Sequence, residues 1–179
     1  ESLISLAVKR VFDIVVSLTV MLLTAPLLLA IAFMIRRESK GLVFFRQTRI
    51  GQGGRPFDMM KFRTMHVANC EDAVAPQNEN DPRVTKVGKI LRRYSLDELP
   101  NFINVLKGEM SVVGPRPEMP FIVETYRAVD RERLRAKPGI TGLWQISYAR
   151  NDSIHSNLDY DLYYIENRSF LLDLVIVAL

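Results

Sequence analysis

Residues 14–35 read IVVSLTVMLLTAPLLLAIAFMI, with no charged side chain among them. At 1.5 Å per residue a helix of this length reaches roughly 33 Å, enough to cross the hydrocarbon core of a bilayer. It is apolar on every face, which is unusual for a helix packed into a soluble core. Membrane insertion is therefore the reading, and it decides the architecture. A cleaved signal peptide fits poorly, because the stretch is too long and no small-x-small cleavage site follows it.

The manner of insertion turns on Pro26. A proline lacks the backbone N–H and crowds the preceding turn, so a kink or break is expected there. Thr24 stands ready to bond a carbonyl freed by the break. Charge placement points the same way: Lys9 and Arg10 flank the front of the run, Arg36 and Arg37 the back. Basic residues favour the cytoplasmic side, so both ends are drawn to one face of the membrane. A helix–break–helix hairpin dipping into one leaflet satisfies both ends, and a kinked full span is the alternative. Asp13 is expected at the interface, in a local ion pair with Lys9 or Arg10.

Outward from this segment the chain is ordinary in bulk. It has 179 residues, 48% hydrophobic and 25% charged, with a formal net charge of +4. That supports one packed domain and excludes wholesale disorder. The charge is too small to indicate nucleic-acid binding. The one cysteine, Cys70, excludes a disulfide scaffold, and with His66 and His155 it makes no zinc spacing. The first residue is Glu and the chain ends within an apolar run, so the expectation is a piece of a longer protein.

The two runs VFFRQTRI and FDMMKFRTM flank Gly51-Gln52-Gly53-Gly54, the pattern of a β-hairpin. The glycines lack the Lys-Ser/Thr of a phosphate-cradling loop. Residues 66–85 read as a short helix and an exposed loop. Residues 86–107 read as two helical pieces stopped by Gly108. Ser111–Gly114 reads as a short strand or turn, 118–136 as a charged helix, and 140–148 as extended. Two helices or one bent helix complete the chain over 156–179. Tyr160, Tyr163, Tyr164 and Phe170 suit either the headgroup layer or an ordinary core.

Arg92-Arg93-Tyr94-Ser95-Leu96-Asp97-Glu98-Leu99-Pro100 carries the chemistry. Ser95 with Glu98 fits a capping box, in which case both acids merely start a helix. Adjacent carboxylates also suit Mg²⁺, with one of them acting as a nucleophile. Arg92, Arg93 and Arg116 supply the forked donors that recognise phosphate. Together these are the parts of phosphoryl transfer. The arginines equally suit a solvated face or anionic lipid heads.

Seven pieces in order resemble one family. They are Lys9-Arg10-Val11-Phe12-Asp13, the apolar run broken at Ala25-Pro26, and Lys61-Phe62-Arg63-Thr64-Met65. Ser95-Leu96-Asp97-Glu98-Leu99-Pro100-Asn101 with Asn104–Gly108 follows, then Val113-Gly114-Pro115-Arg116-Pro117. Lys137–Gly142 with Trp144-Gln145, and Leu172-Asp173-Leu174, complete the set. The chain resembles the bacterial sugar transferases, monotopic phosphoglycosyl transferases that begin membrane-bound glycan assembly. It departs in carrying Ala25 where the family often has Ser before the proline.

The resemblance implies transfer of a sugar 1-phosphate from a UDP-sugar to polyprenyl (undecaprenyl) phosphate, releasing UMP. Asp97 is then the nucleophile and Glu98 holds Mg²⁺, with Asp97 beside it. Arg92 and Arg116 grip phosphates. Lys61, Arg63 and Arg150 are further candidates for the phosphate or nucleotide end. The expected fold is α/β and helix-rich: a re-entrant membrane helix over 1–37 and a catalytic domain over 38–179. That domain is expected to hold a small antiparallel hairpin and interfacial helices, at the cytoplasmic face of the bacterial inner membrane. Membrane lipid is an implied partner, nucleic acid is not, and oligomeric state is left open. Two other classes compete: a non-catalytic membrane-surface module, and a Mg²⁺-dependent phosphohydrolase that gives phosphate to water.

Overall fold

A computed structural model of the chain describes residues 3–66, 81–148 and 158–179. Helix α1 runs Leu3–Glu38. Strands β1 (Phe44–Ile50) and β2 (Pro56–Phe62) form an antiparallel pair around the glycine turn, with Phe44 opposite Phe62 and Ile50 opposite Pro56. The turn takes Gly53 and Gly54 through φ of 68° and 76°, a region that glycine enters without steric cost. Helices α2 (Lys86–Arg93) and α3 (Asn101–Lys107) follow, joined by a 3-10 turn over Leu96–Glu98. Gly108 ends α3 in the left-handed conformation at φ 85°, as its position predicts.

The later elements are short. Strand β3 (Ser111–Val113) pairs in parallel with β4 (Gly139–Thr141), Ser111 opposite Gly139. The backbones press so closely that a Cβ on Gly139 would lie 2.1 Å from the Gly114 nitrogen. Where a single helix is expected over 118–136, the chain forms only α4 (Pro120–Glu124) and a 3-10 turn, Asp130–Arg135. Arg133 in that turn is buried against Asp161, Tyr126 and the Arg116 carbonyl, and those long-range bonds override the local helical pattern. Residues 140–148 are extended only as far as β4. The one-turn helix α5 (Leu143–Ile146) takes over. Helices α6 (Leu158–Asn167) and α7 (Phe170–Ala178) close the fold. The fold is thus helix-rich with a small antiparallel sheet. The expected helix and loop over 66–85 fall largely outside the described residues.

Two apolar clusters organise the body. One gathers Met59, Val105, Met110, Val112, Val113, Tyr164 and Ile176. The other gathers Phe62 and Leu91 with Ile31 and Ile35 from the far end of α1. Full burial of each isoleucine contributes on the order of 2 kcal/mol. The middle of α1 is different: Leu18, Leu22, Leu23, Leu27 and Leu29 are exposed. Only 11% of the helix's most apolar window is buried, so α1 is not a soluble core helix.

Pro26 does not interrupt the helix. The chain is helical from Leu3 to Glu38 with Pro26 inside it, so the expected break into two separate helices at Pro26 does not appear. A proline removes one intrahelical donor, and the surrounding bonds continue the helix on either side. Thr24 Oγ1 donates to the Val20 carbonyl at 2.7 Å, a bond that bends helices slightly.

Candidate active site

Lys86–Arg93 forms a helix because Thr85 caps it, its hydroxyl accepting from the Gly88 nitrogen at 2.9 Å. The carboxylate oxygens of Glu38 accept from the Lys86 and Val87 nitrogens, at 2.6 and 2.9 Å. The end of α1 thus fixes the start of α2, and α2 delivers the chain to Ser95. There the backbone turns through the left-handed region, φ 55° and ψ 22°, with no capping bond from the Ser95 side chain. The capping box that the Ser-x-x-Glu spacing suggests is therefore not formed. Asp97 and Glu98 sit in a 3-10 turn ahead of α3.

Glu98 turns instead to β2 and to the loop after β3. Its Oε1 accepts from Lys61 Nζ at 2.7 Å and from Arg116 Nη2 at 3.1 Å. Burial alone would push this carboxyl up, but the two cations together outweigh it and hold Glu98 down at about 2. Asp97 has the opposite fate. It is half-buried, and its carboxylate makes no hydrogen bond or ion pair with another residue among the described residues. Burial raises it above the ordinary carboxylate range, Lys61 pulls it down and Glu98 adds to the rise. Two neighbouring acids pushed in opposite directions mark divided roles.

Of the other expected site residues, Lys61 and Arg116 converge on Glu98, while Arg92 donates Nε to Thr64 Oγ1 at 2.9 Å. Arg92 still lies near enough to pull Asp97 down. Arg63 is engaged elsewhere. It is 4% exposed and donates to the Ser39 and Lys40 carbonyls at 2.9 and 2.8 Å. Its guanidinium ties the exit of α1 to the strands and makes no bond to Asp97 or Glu98 among the described residues. Arg150 lies outside the described residues. Arg49 is an addition that the motifs do not single out. From β1 it donates to the Pro117 carbonyl, and Arg116, Glu118 and Glu98 all act on its charge. A strand arginine at a half-buried position of an alternating pattern is the available signal.

The donor set bears on a divalent cation. Among the described residues no cluster of three or more acidic, histidine or cysteine side chains exists. Mg²⁺ needs fewer, because it commonly takes one or two carboxylates and completes its shell with phosphate and water. Both cations reach Glu98 through Oε1, so Oε2 has no hydrogen bond among the described residues. That oxygen and the free Asp97 carboxylate fit such an ion.

A family model described as bacterial sugar transferase matches residues 4–179. The chain belongs to the bacterial sugar transferase family. It is 47% identical, over 98% of its length, to the UDP-glucose:undecaprenyl-phosphate glucose-1-phosphate transferase of Klebsiella pneumoniae, covering 40% of that protein. The exopolysaccharide production protein ExoY of Rhizobium meliloti is 41% identical, with 94% of this chain and 81% of the relative covered. A UDP-N-acetylgalactosamine-undecaprenyl-phosphate N-acetylgalactosaminephosphotransferase of Aeromonas hydrophila is also 41% identical, with 95% and 42% covered. The sugar transferase chain thus spans about two fifths of the Klebsiella and Aeromonas proteins.

Proposed function

We propose that this chain is a phosphoglycosyl transferase that moves a sugar 1-phosphate from a UDP-sugar to undecaprenyl phosphate. Such a step opens exopolysaccharide or related glycan assembly. The observation that carries the reading is the unequal treatment of Asp97 and Glu98. One carboxylate is tied to Lys61 and Arg116, and its neighbour has no side-chain partner among the described residues. The relatives' names supply the substrate class, and they differ in the sugar.

In the first step an Asp97 oxygen attacks the phosphorus that bears the sugar. The bond to the UMP oxygen breaks, UMP leaves, and the sugar phosphate remains on Asp97 as a mixed anhydride. In the second step an oxygen of undecaprenyl phosphate attacks the same phosphorus and Asp97 leaves as carboxylate. One difficult transfer becomes two easier ones. Arg116, with Lys61 behind it, offers positive charge to the diphosphate, and Arg92 offers more from α2. When bound, Mg²⁺ held by Glu98 and Asp97 neutralises phosphate charge.

The membrane seat follows from the docking of α1. Near its start, Arg10 donates to the Val105 and Leu106 carbonyls at 2.6 and 2.7 Å. At its end, Glu38 accepts from α2 and Ile35 packs on Phe62. Both ends hold one folded body, and a full span would put them on opposite sides of the bilayer. We take α1, helical throughout, to bend within its apolar run so that it enters one leaflet and returns, with the body at the cytoplasmic face. The exposed Leu171, Leu174 and Val175 of α7 then rest on the same surface. Phe170 holds α7 to α1, its ring edge-on to Phe12 at 5.4 Å.

The test is a panel of UDP-sugars with undecaprenyl phosphate and Mg²⁺, scored for UMP and for labelled lipid. Sugar phosphate released to water in place of lipid product overturns the transferase reading. For topology, Ser5→Cys and Lys40→Cys in a Cys70→Ser background are expected to label from one side. Labelling from opposite sides refutes the re-entrant seat.

A further inference from the structure

Helix α3 has a second charged end. Asp97 and Glu98 precede its N-terminus, and a cavity of about 270 Å³ lies beyond its C-terminus, on the order of 10 Å away along the helix. Lys9, Arg10, Lys137 and Arg168 contribute to the wall, against the single carboxylate of Asp13, and Leu6 of α1 joins them.

The cations are not equivalent. Lys9 is paired with Asp173 at 2.6 Å. Arg10 is held by two carbonyls. Asp13 is engaged with β3, its Oδ1 accepting from Ser111 Oγ and the Val112 nitrogen. Lys137 has no hydrogen bond or ion pair among the described residues. Its Nζ lies 3.8 Å from the point a Cβ on Gly108 would occupy, and Arg10 Nη2 lies 3.7 Å from the same point. Burial pushes the Lys137 ammonium below the ordinary lysine range, with Arg10 and Lys9 adding to the fall and Asp13 opposing it. A half-buried ammonium beside a guanidinium is unfavourable until an anion joins them.

A phosphate suits this pair, since its oxygens accept from an ammonium and a guanidinium together. Its source is written in the neighbouring surface. Leu6 is 45% exposed, and Leu3 and Ile4 before it are 85% and 77% exposed. An acyl chain leaving the cavity meets the apolar flank of α1. We propose that this cavity binds the phosphate of an anionic phospholipid headgroup between Lys137 and Arg10, apart from the reacting centre. Basic pockets beside membrane-inserted helices are suited to such headgroups. A lipid held here fixes the far end of α3 at the headgroup plane, so anionic lipid sets the height of Asp97 above the bilayer. The inference rests on the membrane seat of α1 proposed above.

The experiment uses the full chain purified in a non-ionic detergent. It is titrated with dihexanoylphosphatidylglycerol, with the phosphatidylcholine of equal chain length, and with inorganic phosphate, and read by thermal shift. The glycerol lipid is expected to raise the midpoint and the choline lipid to leave it unchanged. Lys137→Gln is expected to weaken the response about tenfold, and Lys137→Arg to restore it. Without any variant, the glycerol lipid is expected to cut acetylation of Lys137 several-fold while exposed Lys40 and Lys89 react as before. Equal responses to both lipids, or an unprotected Lys137, overturn the site. Inorganic phosphate matching the glycerol lipid overturns the lipid as its source. Flotation on neutral vesicles separates this from the seat of α1: loss of flotation refutes the seat, and retained flotation with equal lipid responses refutes the cavity alone.

Discussion

Two acid–base clusters in this molecule are built on opposite rules. In the first, Lys9 donates to Asp173 Oδ2, and the Tyr164 hydroxyl donates to Asp173 Oδ1 at 2.7 Å. Asp13 bonds β3 in place of the local ion pair that its spacing suggests. Asp173 and Asp13 are 1% and 3% exposed. Each carboxylate in this cluster has partners, and the cluster fastens α1 and α7 to β3. In the second cluster, two cations share one oxygen of Glu98 and Asp97 has none of its own. A fully paired buried cluster holds structure together. A cluster that leaves one half-buried carboxylate unpaired keeps it for a ligand.

Removing the unpaired acid should give the largest functional effect and the smallest structural one. Asp97→Asn is expected to lower UMP release by about a thousandfold or more, with an unchanged thermal midpoint. Retention of a tenth of the rate breaks the contrast. The paired cluster should behave in reverse. Lys9→Met leaves Asp173 buried without its cation and is expected to cost about 3–5 kcal/mol by chemical denaturation. Turnover per folded molecule should stay within a few-fold of wild type. A large kinetic loss at full stability would show that Lys9 belongs to the chemistry.

The pH profile sharpens the difference at intermediate scale. In the proposed mechanism Asp97 attacks as the carboxylate, so activity is expected to be lost as pH falls through its titration. Burial raises that titration above the ordinary carboxylate range and Lys61 restrains the rise. Lys61→Met is therefore expected to move the acid limb of kcat/KM to higher pH, and a limb that moves down refutes the assignment. The smallest effect is expected at Ser95. A true capping hydroxyl costs about 1 kcal/mol when removed. Because Ser95 makes no capping bond, Ser95→Ala should change stability by less than about half of that.

Local patterns in the chain account for much of the fold. The β-hairpin, the helical pieces either side of Ser95 and the Gly108 stop follow from them, and these elements stand where expected. The departures are local patterns overruled from afar. Residues 118–136 alternate charges like a helix, yet Arg133 is drawn into a buried pair with Asp161, 28 positions along the chain. Arg63 has the neighbours of a phosphate ligand and is consumed by the exit of α1. At Pro26 the rule for prolines predicts a break, but α1 stays helical through it.

The order of residues alone determined that one apolar helix precedes a helix-rich body, and that Asp97 and Glu98 sit among basic side chains. Composition and periodicity are local properties and suffice for that. Which acid would be neutralised was decided only by the fold. Lys61 and Glu98 are 37 positions apart, Lys9 and Asp173 are 164 apart. Charge pairing depends on distances of a few ångströms that no local pattern encodes, and those distances separate an acid that fastens the fold from one left unpaired among the described residues.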